Sequence, residues 1–114
     1  QYGFRISPIW VRVNRSYYTG KGDALKAAKQ MVKRGDWDSA IKIWKGLTNN
    51  IDVKIARRSY FNLALAAETK GKLDTAIEYA DKARNMGEKK ASAYINTLRL
   101  RKQDEEKLKQ QLNN

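Results

Sequence analysis

The chain of 114 residues contains no cysteine and no histidine, only one proline, and no long apolar run. Without cysteine it forms neither disulfides nor thiolate metal sites. Without histidine it lacks a common zinc ligand and the commonest general base near neutral pH. No apolar stretch approaches the roughly 20 residues that span a bilayer. We therefore expect a soluble protein that is not an enzyme and binds no metal or cofactor. Gln1 is not an initiator methionine, so we expect a processed or trimmed chain that has lost upstream residues.

Positive charge is what the sequence has in excess, with 24 lysines and arginines against 12 acidic residues and a net charge of +12. Residues 1–34 carry eight basic residues and one acidic residue, and residues 89–114 carry seven and three. The segment between them is nearly balanced. Basic ends favour an anionic partner such as nucleic acid, an acidic peptide or a membrane surface. The alternative is a solvated surface without a specific partner.

Residues 1–20 form an aromatic and basic leader that shows no helical period. The segment 9–14 is rich in residues that favour strands, so we predict an extended conformation. A single strand is not stable alone, and it must pack on the rest of the chain, pair with another chain, or belong to a lost upstream domain. The leader offers four residues to an anionic partner, Arg5, Trp10, Arg12 and Arg15.

From residue 21 onward, apolar residues recur at the spacing of helices and predict one helical domain over residues 21–114. Five stripes follow one another, interrupted at Gly35, Asn49-Asn50, Gly71 and Gly87. The fifth helix is predicted to start near Glu88. Asp52 is a predicted cap of the third helix. The aromatic residues on the stripes are predicted to pack in the core, and they are Trp37, Trp44, Tyr60 and Tyr94. The short connections predict antiparallel neighbours.

An internal repeat is the strongest pattern in the sequence. The segment 35–41 matches the segment 71–77 at an offset of 36 residues, and Tyr60 and Tyr94 are 34 residues apart. Periods of this size are typical of helical arrays. Glycine allows a tight turn between helices, and alanine allows helices to approach closely where they cross.

The repeat resembles the tetratricopeptide repeat family, whose unit has a glycine in the turn, then an alanine and a larger apolar residue. The matching residues are Gly35, Ala40 and Trp44, and then Gly71, Ala76 and Ala80. This resemblance implies an all-α fold of antiparallel helix hairpins, about two and a half units and five helices, preceded by a short extended segment. The proline that ends the family's unit is absent, with Asp52 and Glu88 in its place, which puts the superhelical angle in doubt.

In this family the first helix of each unit lines a concave groove. The resemblance implies the groove residues Lys29, Lys33, Arg58, Phe61, Asn62, Leu65, Ile95, Asn96 and Arg99. Such a mixture of apolar and basic side chains suits a peptide that carries apolar residues and an acidic group. Some members clamp the carboxylate of chaperone tails with lysine, asparagine and arginine. Only Asn62 matches that set, so we expect no such clamp.

We therefore predict a module that binds a protein or a peptide, or acts as a scaffold. One alternative is nucleic-acid binding through the basic ends of the chain, and another is a structural C-terminal tail of a larger protein. The leader, the glycine linker and the repeats also resemble the C-terminal part of bacterial envelope proteins of unknown function. That resemblance implies a place in the cell envelope.

Overall fold

Five α-helices make up the part of the chain that the computed structural model describes, residues 23–113. They are α1 Asp23–Lys33, α2 Trp37–Leu47, α3 Val53–Thr69, α4 Leu73–Asn85 and α5 Ala91–Asn113. The connections have three to five residues, so neighbouring helices run antiparallel. Residues 23–113 contain no strand. The predicted all-α fold with five helices is confirmed. The leader with its predicted extended segment lies outside the described residues.

Three of the four connections contain a glycine in the left-handed region, Gly35 at φ 78°, Gly71 at 77° and Gly87 at 98°. At each of them the preceding helix ends in the same pair of backbone hydrogen bonds. The glycine N–H donates to the carbonyl three residues back, and the next N–H donates to the carbonyl five residues back. A residue with a Cβ is strained at these φ values. The glycines of the repeat are therefore required by the turn that they form.

The first residues of α2 and α3 are held by aspartate caps. The Ser39 hydroxyl and the Ser39 N–H donate to the Asp36 carboxylate at 2.7 and 3.1 Å. These two hydrogen bonds lower the pKa of Asp36. The Lys54 N–H donates to the Asp52 carboxylate at 2.9 Å, which confirms the predicted cap. Both helices therefore begin where the sequence pattern indicates.

The last helix, α5, begins at Ala91, three residues later than predicted. Glu88 is not part of it, because its N–H donates to the Ala83 carbonyl at 2.9 Å and completes the end of α4. The Glu88 carboxylate then accepts the Lys90 N–H at 3.2 Å. With 23 residues α5 is six residues longer than α3. Its final turns reach roughly 9 Å further, at 1.5 Å per residue.

Helix α3 lies at the centre of the fold, with α2 and α4 packed against it. Its residues 61–68 are all buried, which means that neighbours surround the full circumference of the helix. Leu63 and Ala66 join a cluster with residues of α1 and α2. Phe61 and Leu65 join a second cluster with residues of α4 and α5. The core therefore consists of two halves that meet on α3.

Small residues and a few aromatic rings fill these two halves. Fully buried alanines lie on every helix, so the backbones approach closely. Trp44 is fully buried, and its ring stands edge-to-face on Trp37 with 6.3 Å between centroids. Tyr94 is buried, and Tyr60 is partly buried against both clusters. The prediction that these aromatic residues pack in the core is confirmed.

Candidate functional site

The nine residues predicted for the groove lie on α1, α3 and α5, but the structure separates them into a buried and an exposed set. Phe61, Asn62, Leu65 and Ile95 are buried, with exposed fractions of 5%, 0%, 4% and 1%. Their assignment as open groove positions is wrong. Lys33, Asn96 and Arg99 are exposed, and Lys29 and Arg58 are half-buried. The surface left to a partner is polar and cationic instead of mixed.

The apolar positions are buried because α5 packs its inner face against α3. The rings of Phe61 and Tyr94 lie 5.3 Å apart between centroids, and Leu65 and Ile95 belong to the same cluster. The repeat register places these side chains on the first helix of each unit. It does not say how closely the first helices of successive units approach. Here side chains of α3 and α5 are in contact, so the apolar residues that were expected to line the groove are buried between these two helices.

A buried polar network also joins α3 and α5. Glu68 on α3 is fully buried, and its carboxylate accepts the Tyr94 hydroxyl at 2.7 Å and the Arg101 guanidinium at 3.2 Å. Arg101 also lies 3.5 Å from Glu105, measured from Nε to Oε2. The helical period of the sequence does not predict this network. The one signal was an acidic residue directly after the apolar run 63–67.

The exposed cations occupy equivalent positions in the outer units. Lys29 of the first unit and Arg99 of the third both align with Leu65 of the middle unit, at offsets of 36 and 34 residues. Leu65 is buried, so only the outer units present a side chain at this position. Lys33 follows Lys29 by one helical turn. The first-helix face therefore carries positive charge on both flanks.

An open cleft of about 600 Å³ lies between α4 and α5 beside Arg99. Its walls carry both signs of charge, because Asp74, Glu78 and Glu106 face Arg99 and Lys102. Lys102 Nζ lies 2.7 Å from Asp74 Oδ1, and this contact raises the pKa of Lys102. The lining carries three negative and two positive charges, so the cleft is not a site that attracts an anion.

Charge is distributed unevenly between the two ends of the helix bundle. The α2–α3 and α4–α5 connections lie at one end, where Arg57 Nη1 is 3.7 Å from the point at which a Cβ of Gly87 would stand. We call residues 44–58 and 81–92 the basic end, with eight basic and three acidic residues. We call residues 30–39 and 66–75 the balanced end, with four of each. An anionic partner is attracted to the basic end.

Potential metal ligands and the serine positions are the features of the described residues that bear on metal binding and catalysis. No group of three or more acidic, cysteine or histidine side chains that could hold a metal ion occurs among them. Ser59 is fully buried in α3, so its hydroxyl is not accessible to a substrate. The leader residues Arg5, Trp10, Arg12 and Arg15 lie outside the described part of the chain. The arrangement is suited to binding through charged surfaces.

Comparison with known proteins adds one finding. A family model described as "Domain of unknown function (DUF6340)" matches residues 26–111. No curated protein and no solved structure matches the chain. Within residues 23–113, no helix is both long enough and apolar enough to cross a membrane.

Proposed function

The chain belongs to the DUF6340 family, whose function is unknown, and we propose that it is a non-catalytic module of tetratricopeptide type that binds an acidic segment of a partner protein. The observation that carries this proposal is the repeated hairpin. The turns at Gly35 and Gly71 are the same in φ and in hydrogen bonding, and the second hairpin stacks on the first. Stacked helix hairpins form an extended surface that suits peptides.

Charge on the first-helix face supports an acidic partner. Lys29, Lys33 and Arg99 lie on that face, and none of these three side chains has a salt bridge with a described carboxylate. Asn96, which is exposed three residues before Arg99 on α5, adds an amide that can donate and accept. Charge-assisted hydrogen bonds to a carboxylate are among the stronger polar contacts. A segment rich in aspartate or glutamate therefore fits this face better than an apolar helix does.

The test uses a panel of short synthetic peptides whose apolar residues are constant and whose charged residues are either glutamate or lysine. We expect the glutamate peptides to bind in fluorescence anisotropy at about 150 mM salt, where weak surface charge is largely screened. The variant Lys29→Glu/Lys33→Glu/Arg99→Glu should bind at least about tenfold more weakly, since each charged contact contributes on the order of 1 kcal/mol.

The matched control is Lys42→Glu/Lys107→Glu/Lys109→Glu, which changes the net charge by the same amount. These lysines are exposed on α2 and on the last turns of α5, away from the first-helix face. Equal weakening by both triple variants would mean that net charge alone drives binding. No binding of any glutamate peptide would refute the acidic-partner assignment.

Nucleic-acid binding through the basic ends of the chain is the second candidate, and the same assay addresses it with labelled single- and double-stranded oligonucleotides. At the C-terminal end, Arg101 and Lys102 are engaged by Glu68 and Asp74, which leaves less charge for phosphates. Binding that survives physiological salt with a steep salt dependence would favour this candidate. A chain that binds neither probe would instead be the structural tail of a larger protein.

A further inference from the structure

The connection between α2 and α3 presents two aliphatic side chains to solvent at the basic end. Ile51 is 99% exposed and Val53 is 51% exposed. The turn that carries them is held by side chains, because Asn50 Oδ1 accepts the Asp52 N–H at 2.8 Å and Asp52 caps α3. Ile51 therefore stands at the tip of an ordered turn. Ile51 and Val53 are only two residues apart, so they form one small apolar tip.

Three lysines lie at the same end of the bundle as this tip. Lys45 and Lys54 flank it in the sequence, and Lys89 lies in the neighbouring connection of the same end. All three are exposed, and no described carboxylate forms a salt bridge with any of them. The apolar tip and the unpaired lysines are independent observations that coincide at one end.

The three carboxylates of the basic end are engaged within the fold. Asp52 caps α3, Asp81 pairs with Arg84, and Glu88 is buried and accepts a backbone N–H. The basic end is net positive even with these three carboxylates, because it contains eight basic residues. At the balanced end, one cation is paired across helices, Lys70 with Asp38 at 2.5 Å, and acidic residues equal basic ones in number. The electrostatic potential therefore differs between the two ends of the bundle, and the more positive end is the basic end, where the apolar tip also lies.

We propose that the basic end docks on a membrane surface of anionic lipids, with Ile51 and Val53 entering the headgroup region and the lysines contacting lipid phosphates. Peripheral docking combines burial of apolar side chains at the interface with attraction of basic residues to anionic lipid. Both components are present at this end. The surface is separate from the first-helix face, and the proposal does not rest on the peptide-binding proposal.

Aliphatic side chains favour lipid over nucleic acid as the anionic partner. Proteins that bind single strands without sequence preference place aromatic rings where bases stack. The large hydrophobic side chains exposed at the basic end are aliphatic, Ile51 and Val53, whereas its neighbouring rings Tyr60 and Tyr79 are partly buried against the core. An aliphatic tip gains nothing from a base but partitions into a lipid interface.

Vesicle co-sedimentation of the full 114-residue chain tests the docking surface. Vesicles of phosphatidylcholine alone are compared with vesicles that contain about 30% phosphatidylglycerol, at about 150 mM salt. We expect binding only to the anionic vesicles. The variant Lys45→Glu/Lys54→Glu/Lys89→Glu should lower the partition coefficient by roughly a hundredfold, since each basic residue near the surface contributes about fivefold. Its control, Lys72→Glu/Lys107→Glu/Lys109→Glu, changes exposed lysines outside the basic end and should lower it far less.

The apolar tip needs its own variant pair. Ile51→Ser should reduce binding to anionic vesicles at least about tenfold, because an isoleucine side chain no longer leaves water on docking. Leu112→Ser removes an aliphatic side chain that is 71% exposed on α5 and should leave binding unchanged. Circular dichroism of every variant verifies that the helices are retained.

Three results would overturn the docking proposal. The first is an absence of binding to anionic vesicles, and the second is an equal loss of binding in the two lysine variants. The third is binding of oligonucleotides that depends on the three lysines but not on Ile51, which would assign the basic end to nucleic acid. A loss on Ile51→Ser and on the basic-end lysine variant, with both controls intact, would support docking on lipid.

Discussion

Removing Arg101 while leaving Glu68 in place should destabilise the fold more than any other change of a charged residue that we can identify. Glu68 is fully buried, and its two carboxylate oxygens accept from Tyr94 and Arg101. In the variant Arg101→Met the carboxylate stays in the core and loses its cationic partner. A buried charge without its partner keeps its desolvation penalty and loses the compensating attraction.

The size of the effect follows from the burial of the pair. Breaking a buried ion pair from one side costs about 3–5 kcal/mol. The Arg101 side chain is 17% exposed, and solvent screens part of the interaction, so we expect about 2–3 kcal/mol, at or just below the bottom of that range. The total stability expected for a domain of this length is about 5–14 kcal/mol. The melting temperature should therefore fall by roughly 10–20 °C.

A double-mutant cycle isolates the interaction. Glu68→Met/Arg101→Met removes both charges and fills the space with apolar side chains, and it should lie within about 1 kcal/mol of the wild type. In that variant the Tyr94 hydroxyl keeps a long contact of 3.4 Å to the Ala64 carbonyl. Unfolding in guanidinium, followed by the fluorescence of the buried Trp44, reports the free energy of unfolding.

The matched control is Arg99→Met, which makes the same substitution on the same helix at an exposed position. It should change stability by no more than about 0.5 kcal/mol. The reasoning would be refuted if Arg101→Met were as mild as this control. It would also be refuted if the effects of Glu68→Met and Arg101→Met simply added, because the two residues would then not be coupled.

Three further predictions concern the turns, the caps and the core. Gly71→Ala should lower the free energy of unfolding by about 1–2 kcal/mol, because φ at this position is 77°. Gly46→Ala, inside α2, should raise it by up to about 1 kcal/mol, because alanine favours the helix more than glycine does. Guanidinium midpoints of the two variants that move in the same direction would contradict this. Because the pKa of Asp36 is lowered in the folded chain, Asp36 contributes fully to the free energy of unfolding at pH values above the ordinary aspartate pKa. This contribution is lost as the pH falls through the lowered pKa. The melting temperature of Asp36→Asn should therefore lie below that of the wild type at neutral pH, and the gap should close in acid; a gap that does not change with pH would count against the cap. Trp44→Ala should cost about 3–5 kcal/mol by thermal denaturation, and a cost below about 1 kcal/mol would mean that the cavity collapses.

The candidate surfaces could be predicted from the sequence only in part. The register of the repeat assigns Lys29, Lys33, Asn96 and Arg99 to the groove; in the structure Lys29 is half-buried and the other three are exposed. The same register places Phe61 at an open groove position, although it is buried. One period describes which side chains share a helix face. It contains no information on whether the next helix covers that face.

The uneven distribution of charge between the two ends of the bundle is another property that cannot be read from the sequence alone. In linear order the segment 35–88 is nearly neutral, with nine basic and eight acidic residues. Folding alternates the direction of the helices and sorts these residues into two ends. Lysines that are distant in sequence, such as Lys45 and Lys82, then lie at one end. Only in the folded chain does the exposed side chain of Ile51 lie at the same end as these lysines.

The sequence by itself determined the helices, their caps and their turns, because these depend on contacts within a few residues. Gly35 and Gly71 permit φ values that other residues avoid, Asp52 accepts a neighbouring N–H, and the apolar period fixes which face is buried. The tertiary structure decided that α3 is buried on all sides, that Glu68 and Arg101 pair across 33 residues, and which positions remain open. These features depend on how closely separate helices pack, and that distance is set by many side chains together instead of by any local pattern.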